Sequence, residues 1–152
     1  MSTLIIEKAK LKNLKDLIYL LFDDDLGKDR ENISETSFNN YKKSFMKILN
    51  DTNNEIFIMV LNDQIIGMMQ LTFIPGLSME GMTRCQIESV RIKKDYRNKG
   101  YGSELMKKGI EIAKLNKCGL IQLTSNKERL KAINFYKKLG FLCTHKSFKL
   151  DL

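Results

Sequence analysis

The segment from Arg97 to Gly102 contains two cations and two glycines, whose spacing suits the binding of an anion. The letters Arg97-Asn98-Lys99-Gly100-Tyr101-Gly102-Ser103 follow an apolar stretch. Glycine allows backbone angles that a Cβ forbids and lets a ligand approach the main chain closely. The first N–H groups of a following helix have no partner inside it, and the helix dipole adds partial positive charge there. The segment therefore predicts a site for phosphate or pyrophosphate, to which Arg97 and Lys99 add full charges.

A strand before this turn and a helix after it would hold it in place. Gln86 to Ile92 carries β-branched and alternating apolar residues, which favours an extended strand. From Gly102 onward the apolar residues recur at helical spacing, with a glycine as a small contact. The residues of that helical stripe are Leu105, Met106, Gly109, Ile110, Ile112 and Ala113. The predicted order is strand, turn, helix.

Two common phosphate motifs do not fit these letters. A dinucleotide fingerprint would need a third glycine where Leu105 stands, and the Gly-x-x-x-x-Gly-Lys-Ser/Thr pattern is absent. By itself, a two-glycine loop is equally well explained as a tight basic turn. However, Arg97-x-x-Gly100-x-Gly102 after an apolar strand resembles the acetyl-CoA pyrophosphate loop of the GNAT N-acetyltransferase superfamily.

A second motif downstream strengthens this resemblance. Leu120 to Thr124 is a predicted apolar strand, and the chain then reads Arg129-x-x-Ala132-x-x-Phe135-Tyr136-x-x-Leu139-Gly140-Phe141. That stretch is similar to the end of the GNAT domain, where a helix carries a tyrosine and stops at Leu-Gly-Phe. The resemblance implies an α/β fold with a mostly antiparallel sheet, splayed at the cofactor strands and flanked by about four helices. It also implies a single domain over residues 1–152.

The charge of the chain favours a polyanionic partner. Twenty-six Lys and Arg against 18 Asp and Glu give a net charge of +8, and coenzyme A, nucleic acid and a membrane surface would all suit it. Several cations fall on or near the turn, which favours the cofactor, although lysines beyond it are also explained as solvated helix faces. There is no aromatic RNA-binding pattern and no zinc spacing, so we expect no nucleic-acid partner.

The cysteine and histidine content indicates a protein of a reducing compartment that has no metal site. The three cysteines form no Cys-x-x-Cys pair, and one histidine cannot build a metal cluster by itself. No apolar run approaches membrane-spanning length. We therefore expect a cytoplasmic protein with no metal and no membrane partner; whether it forms a homodimer is left open.

The remaining segments predict the elements around the site. Helices are expected from Leu11 to about Phe22 and from Ser37 to Leu49, a hairpin from Glu55–Leu61 to Gln64–Ile74, and a last strand from Phe141 to Leu150. Gly119 would cap the helix after the turn. The acidic triplet after the first helix is either a solvated stop signal or an attraction for a cationic amine. The loop from Pro75 to Met82 is either a lid or a plain strand connection.

The resemblance assigns cofactor roles to named positions. The exposed backbone of Val90-Arg91-Ile92 would pair with the pantetheine arm, and a main-chain N–H there would donate to the thioester oxygen. The turn would hold the diphosphate. The cofactor residues expected on this basis are Val90, Arg91, Ile92, Arg97, Asn98, Lys99, Gly100, Tyr101, Gly102, Ser103, Asn126, Arg129 and Tyr136.

Two side chains are candidates for proton transfer. Tyr136 matches the tyrosine that serves this superfamily as general acid toward the departing thiolate, and a phenol is protonated at neutral pH. Packing on the helix is the alternative role. Strand alternation places Glu88 on the face of Val90 and Ile92, where it would act as general base toward the amine. Pairing with a neighbouring lysine is its alternative role, and Glu80, Asp95 and His145 are weaker substitutes as base.

One position departs from the superfamily pattern. Arg129 stands where many members carry an asparagine seven residues before the tyrosine, which puts the usual amide contact in doubt. The ending is most similar to small-amine members such as aminoalkylphosphonate N-acetyltransferase. We therefore expect acetyl transfer from acetyl-CoA to a small primary amine; a protein lysine or N-terminal acetyltransferase, and a non-catalytic acyl-CoA-binding module, are the alternatives.

Overall fold

A computed structural model describes residues 3–24 and 27–152. The chain divides into two compact units, one that runs to Gln122 and one from Leu123 to Leu152. The first unit contains, in order, β1 (Leu4–Lys8), α1 (Leu14–Phe22), α2 (Glu35–Leu49), β2 (Asn54–Leu61), β3 (Gln64–Pro75), α3 (Ser78–Gly81), β4 (Thr83–Ile92), α4 (Tyr101–Leu115) and β5 (Leu120–Gln122). The second contains α5 (Leu130–Lys138).

The first unit is built on one sheet with the strand order β1-β2-β3-β4-β5. Neighbours pair antiparallel from β1 to β4, and β4 pairs with β5 in parallel. At the β2–β3 turn, Asn62 and Asp63 have φ values of 47° and 64°, the left-handed conformation that a tight hairpin needs and that these residue types tolerate. The predicted hairpin and mostly antiparallel sheet are confirmed.

The two faces of the sheet are covered by different helices. On one face, the buried cluster joins α1 and α2 to the sheet through Leu14, Phe45, Ile58 and Met68, among others. On the other face, Leu105 and Met106 of α4 are fully buried. A Cβ at Gly109 would lie 3.1 Å from Sδ of Met69, so glycine lets α4 approach β3 closely. The helical stripe predicted after the turn is thereby confirmed.

The end of α4 differs from the expectation. Gly119 is not the left-handed residue; Lys117 is, with φ 55°. A Cβ at Gly119 would lie 2.6 Å from Cγ of Met82, and the Gly119 N–H donates to the carbonyl of Thr83. Glycine is therefore needed here for close packing beside β4 rather than for a helix cap.

The second unit corrects the prediction of a final strand. Helix α5 ends as expected, with Gly140 at φ 92°, but residues 141–152 form no strand and residues 142–152 are exposed. A β-strand is defined by the backbone hydrogen bonds that it makes to a neighbouring strand. Residues 123–152 contain no strand that could supply those bonds. In the described ranges, no helix is long and apolar enough to cross a membrane.

Candidate active site

The turn before α4 has the backbone that its glycine spacing predicts. Asn98 and Gly100 are left-handed, with φ values of 62° and 86°. Gly100 precedes the helix without a capping side chain, and the N–H of Glu104 is the helix donor that reaches its carbonyl, at 3.1 Å. A Cβ at Gly100 would meet nothing within 4 Å. The space beside Gly100, at the start of α4, is therefore open, and the first N–H groups of a helix are the groups that bind an anion.

The side chain of Arg97 supports this turn from the protein side. Its Nε donates to the carbonyl of Ile92 at 2.9 Å, and its Nη2 donates to the carbonyl of Asp23 at 2.9 Å. Its guanidinium also lies 3.7 Å from Oδ2 of Asp23. With two donors engaged, Arg97 fixes the turn to β4 and to the end of α1; a direct phosphate contact by its remaining donors stays a prediction.

Tyrosines lie on either side of the basic turn. The hydroxyl of Tyr96 donates to Oε1 of Gln64 at 2.8 Å, which ties the turn to the β2–β3 hairpin. Its ring lies 6.1 Å from that of Tyr101, and Nζ of Lys99 lies 5.6 Å from its centroid. Lys99 is exposed, so its charge remains beside the turn while its ammonium contacts an aromatic face.

Strand β4 extends beyond β5, its parallel neighbour. Strand β5 pairs only with Arg84, Cys85 and Gln86, whereas β4 continues to Ile92. Because β5 ends at Gln122, the last six residues of β4 have no β5 partner. Val90 to Ile92, where the resemblance implied a splayed edge, lie in this stretch beyond β5.

The main-chain groups on this edge have a definite direction. The N–H of Lys93 donates to Ile66 on β3, so alternation points the N–H and C=O groups of Val90 and Ile92 away from β3. On that side the carbonyl of Val90 accepts from Nη1 of Arg91 at 2.9 Å, and the carbonyl of Ile92 accepts from Arg97. With both carbonyls engaged, the edge presents mainly N–H donors.

A bulge in β4 overturns the face assigned to Glu88. Ser89 is left-handed, with φ 52°, and the β3–β4 register shifts between the pair Met68–Arg91 and the pair Gln70–Glu88. Since Met68 and Gln70 lie on one face of β3, Glu88 shares a face with Arg91 and not with Val90 and Ile92. The expectation from strict alternation was wrong because one extra residue was inserted.

Glu88 lies in a row of polar side chains that crosses four strands on the α1–α2 face. The register places Asn54 opposite Thr72, Gln70 opposite Glu88, and Gln86 opposite Gln122. Oδ1 of Asn54 accepts from Thr72 at 2.7 Å and from Gln70 at 3.3 Å, and Gln122 donates to Gln86 at 2.8 Å. Sequence reasoning missed this row, although polar residues two apart in β3 and β4 were a usable signal.

The sequence matches the acetyltransferase (GNAT) family over residues 14–141. The chain belongs to this family. The resemblance and fold class predicted from the two motifs are thereby confirmed, and the match supports acetyl transfer from acetyl-CoA as the chemistry of the fold. No residue role is tested by the match.

Related proteins include several acetyltransferases. The chain is 32% identical over 89 residues to glucosamine 6-phosphate N-acetyltransferase of Trypanosoma brucei brucei, covering 59% of this chain and 58% of that protein. It is 44% identical over 57 residues to streptothricin acetyltransferase A of Bacillus subtilis, covering 37% of this chain and 32% of that protein. The chain thus spans under two thirds of these relatives.

Solved structures match over nearly the whole chain. One described as a transcriptional regulator from Bacillus halodurans has a TM-score of 0.94 and 37% identity, covering 99% of this chain and 100% of that chain. A predicted acetyltransferase with acetyl-CoA, from Clostridium acetobutylicum, has a TM-score of 0.79 and 20% identity, covering 98% and 96%. The similarity to this second structure shows the fold alone.

Asp23 and Asp24, which follow α1, contact groups of β4 and of the turn after it. Asp24 is 5% exposed, and its Oδ2 lies 3.8 Å from Nη2 of Arg91 on β4. Asp23 accepts from the main-chain N–H of Lys94 at 3.0 Å through Oδ2. Both carboxylates therefore contact β4 or the turn that follows it, a contact that neither sequence interpretation included. Asp25 lies outside the described residues.

The second unit contains the remaining GNAT positions. Tyr136 on α5 packs edge-on against Phe135 and Phe141, with ring centroids 5.2 Å and 6.0 Å apart. Oδ1 of Asn126 accepts from the N–H of Glu128 at 2.9 Å, so Asn126 shapes the turn before α5. Arg129 is the residue that precedes α5. The catalytic and cofactor roles of these residues stay predictions.

The weaker base candidates lie outside the strands that carry the polar row. Glu80 and Met79 are left-handed, with φ values of 59° and 54°, in the short α3 of the β3–β4 loop. Asp95 is exposed in the 3₁₀ turn before Arg97. His145 is exposed, with Nδ1 2.7 Å from Oγ1 of Thr144. Glu88 is therefore the candidate that combines an exposed carboxylate with polar neighbours on the sheet.

Proposed function

We propose that this chain is an N-acetyltransferase that moves an acetyl group from acetyl-CoA to a primary amine of a small molecule, directly within a ternary complex. The observation that carries the proposal is the order, in the first unit, of a strand end without a β5 partner, a glycine turn and a helix start. The end of β4, beyond its pairing with β5, leads to a turn in which the space beside Gly100 is open at the start of α4. Such an arrangement offers donors to both the amide arm and the diphosphate of coenzyme A.

The cofactor would be held mainly by main-chain groups. Amides from Asn98 to Ser103 would donate to the diphosphate, and Lys99 would add charge. The N–H groups of Val90 and Ile92 would pair with the pantetheine arm, because the carbonyls beside them are engaged by Arg91 and Arg97. One of these N–H groups would also stabilise the oxyanion formed from the thioester oxygen.

The reaction needs one nucleophilic attack and two proton transfers. The neutral amine attacks the thioester carbonyl, a C–N bond forms, and the C–S bond then breaks. Glu88 would accept the amine proton through water, and the Tyr136 hydroxyl would donate a proton to the departing thiolate. Holding the two substrates in line can lower the barrier by roughly 7 to 11 kcal/mol, so positioning supplies most of the rate.

The polar row beside Glu88 supports a small, hydroxylated acceptor. Asn54, Gln70, Thr72, Gln86 and Gln122 present amide and hydroxyl groups, which hydrogen-bond neutral polar ligands. A relative named glucosamine 6-phosphate N-acetyltransferase is consistent with an amine of this kind. We place the reaction in the cytoplasm, because the chain carries three free cysteines and free thiols persist in a reducing compartment.

The experiment is release of free thiol from acetyl-CoA across a panel of small amines, amino sugars and lysine peptides. Tyr136→Phe is expected to lower kcat by about 10²- to 10⁴-fold, because general acid catalysis contributes about that much. Glu88→Gln should lower kcat and shift its pH profile; an effect on the KM of the amine alone would make Glu88 a recognition group. Tyr19→Phe, at a tyrosine 55% exposed on α1, is the control.

Three outcomes would decide against parts of the proposal. Full activity of Tyr136→Phe would remove the acid assignment. Turnover confined to lysine peptides would favour the protein acetyltransferase. Binding of coenzyme A without thiol release would favour the second candidate, a non-catalytic acyl-CoA-binding module, which gains support from the similar structure described as a transcriptional regulator.

A further inference from the structure

The end of α1 holds the segment that leads into the basic turn. Oδ2 of Asp23 accepts from the main-chain N–H of Lys94 at 3.0 Å, at the start of the 3₁₀ turn Lys94–Tyr96. The main-chain carbonyl of Asp23 accepts from Nη2 of Arg97 at 2.9 Å, just after that turn. The residue that follows α1 thus contacts both ends of a three-residue turn on a distant part of the chain.

These contacts are partly shielded from water. The side chains of Asp23 and Arg97 are 18% and 32% exposed, and the guanidinium lies 3.7 Å from the carboxylate. Hydrogen bonds to ionised groups are stronger than neutral ones, and partial burial strengthens them further. The neighbouring Asp24–Arg91 pair ties the same corner of α1 to β4. The corner therefore restrains the segment from Arg91 to Arg97 at several points.

We propose that Asp23 is a positioning residue for the acetyl-CoA diphosphate. It acts through Lys94 and Arg97, which hold Asn98 and Gly100 in left-handed conformations before the cofactor arrives. A turn that is already ordered loses less conformational entropy on binding. If only a fraction of molecules have the binding-competent turn, the apparent affinity falls by that fraction. The proposal rests on the proposed function, since it assigns a cofactor to this turn.

The side-chain part of the contact can be tested separately. Asp23→Ala removes the carboxylate but keeps the main-chain carbonyl that Arg97 contacts. Its Kd and KM for acetyl-CoA are expected to rise about tenfold, with kcat within twofold, because the turn would be competent in about a tenth of molecules. Asp23→Asn keeps an oxygen acceptor for Lys94 and should recover most of the affinity. Arg97→Lys loses the planar guanidinium and should weaken binding as Asp23→Ala does.

The matched control is Asp16→Ala, at an exposed acid in the first turn of the same helix. It should leave the affinity for acetyl-CoA unchanged. The measurements are titration calorimetry with coenzyme A and steady-state kinetics on the full chain. Wild-type affinity in Asp23→Ala overturns the proposal, as does a fall in kcat at unchanged KM, which would place Asp23 in the chemical step. A variant that fails to fold leaves Asp23→Asn and Arg97→Lys to decide.

Hydrogen exchange separates this proposal from the proposed function. Without any ligand, the amides of residues 94–103 should exchange faster in Asp23→Ala than in the wild type, while those of α2 and β2 stay unchanged. If the wild type does not bind coenzyme A, the proposed function fails, and the assignment of a cofactor to Asp23 fails with it. If the wild type binds but exchange is the same in both proteins, the positioning role alone is refuted.

Discussion

Gly67 is the position where one added methyl group should disturb the edge of β4 to which we assign the pantetheine arm. It lies opposite Met59 on β2 and Ile92 on β4. A Cβ there would lie 2.7 Å from Cδ1 of Ile92 and 3.0 Å from the carbonyl oxygen of Arg91. The isoleucine methyl group can rotate away, but the carbonyl can move only with the backbone of β4. Gly67→Ala must therefore displace the edge at Val90 to Ile92.

The cost follows from packing. Overpacking a core costs about 1 to 3 kcal/mol, and replacing glycine by alanine in a strand returns about 0.5 to 1 kcal/mol. The expected net loss is about 1 to 2 kcal/mol, which lowers the melting temperature by about 2 to 8 °C for a chain of this size. Since small displacements of bound substrates reduce rates steeply, kcat/KM for acetyl-CoA should fall about tenfold.

Calorimetric melting and thiol-release kinetics on matched variants test this reasoning. Gly67→Ala combined with Ile92→Val should recover part of the stability, because the nearer contact is removed while the carbonyl contact stays. Gly109→Ala is the control: its Cβ would meet the flexible Sδ of Met69 at 3.1 Å, and alanine is favoured inside a helix. A Gly67→Ala protein with wild-type melting and wild-type kinetics would show that β4 yields freely, which refutes the argument.

Two further predictions concern stability. Burial, and then the nearby Cys118, raise the pKa of Cys85 from 9.0 to about 12. Between those two pH values the unfolded chain releases the thiol proton and the folded chain keeps it, so the free energy of unfolding falls as pH rises, by up to about 1.4 kcal/mol per pH unit. In denaturant titrations, Cys85→Ala should therefore lose less stability between pH 8 and pH 10 than the wild type. The hydroxyl of Tyr41 donates to Oε2 of Glu31 at 2.6 Å and accepts from the N–H of Asn32 at 3.2 Å. Tyr41→Phe should therefore lower the melting temperature by about 2 to 4 °C, whereas Tyr19→Phe, at an exposed tyrosine, should not. Equal melting temperatures of the two variants would contradict the role of these hydrogen bonds.

The sequence was sufficient where local preferences and the fold agree. Helical spacing after Gly102 predicted α4 and its glycine contact with β3, and Asn62-Asp63 between apolar runs predicted the hairpin. It was insufficient where distant residues decide. Glycine is required at position 119 because the side chain of Met82, just before β4, occupies the place of a Cβ. The acids that follow α1 contact arginines about 70 residues away. Neither partner can be found from spacing along the chain.

The left-handed Ser89 connects the failure of strict alternation to the chemistry. Without the bulge, Glu88 would share a face with Val90 and Ile92, which is the face on which Ile87 packs against α4. The extra residue turns Glu88 to the opposite face, where Gln70 and Gln86 provide polar neighbours, while the N–H groups of Val90 and Ile92 stay in the plane of the sheet. In the proposed reaction, Glu88 would accept the amine proton from this face, while the thioester would lie along the edge at Val90 to Ile92. The bulge is therefore the feature that would let a single strand serve both substrates of the proposed reaction.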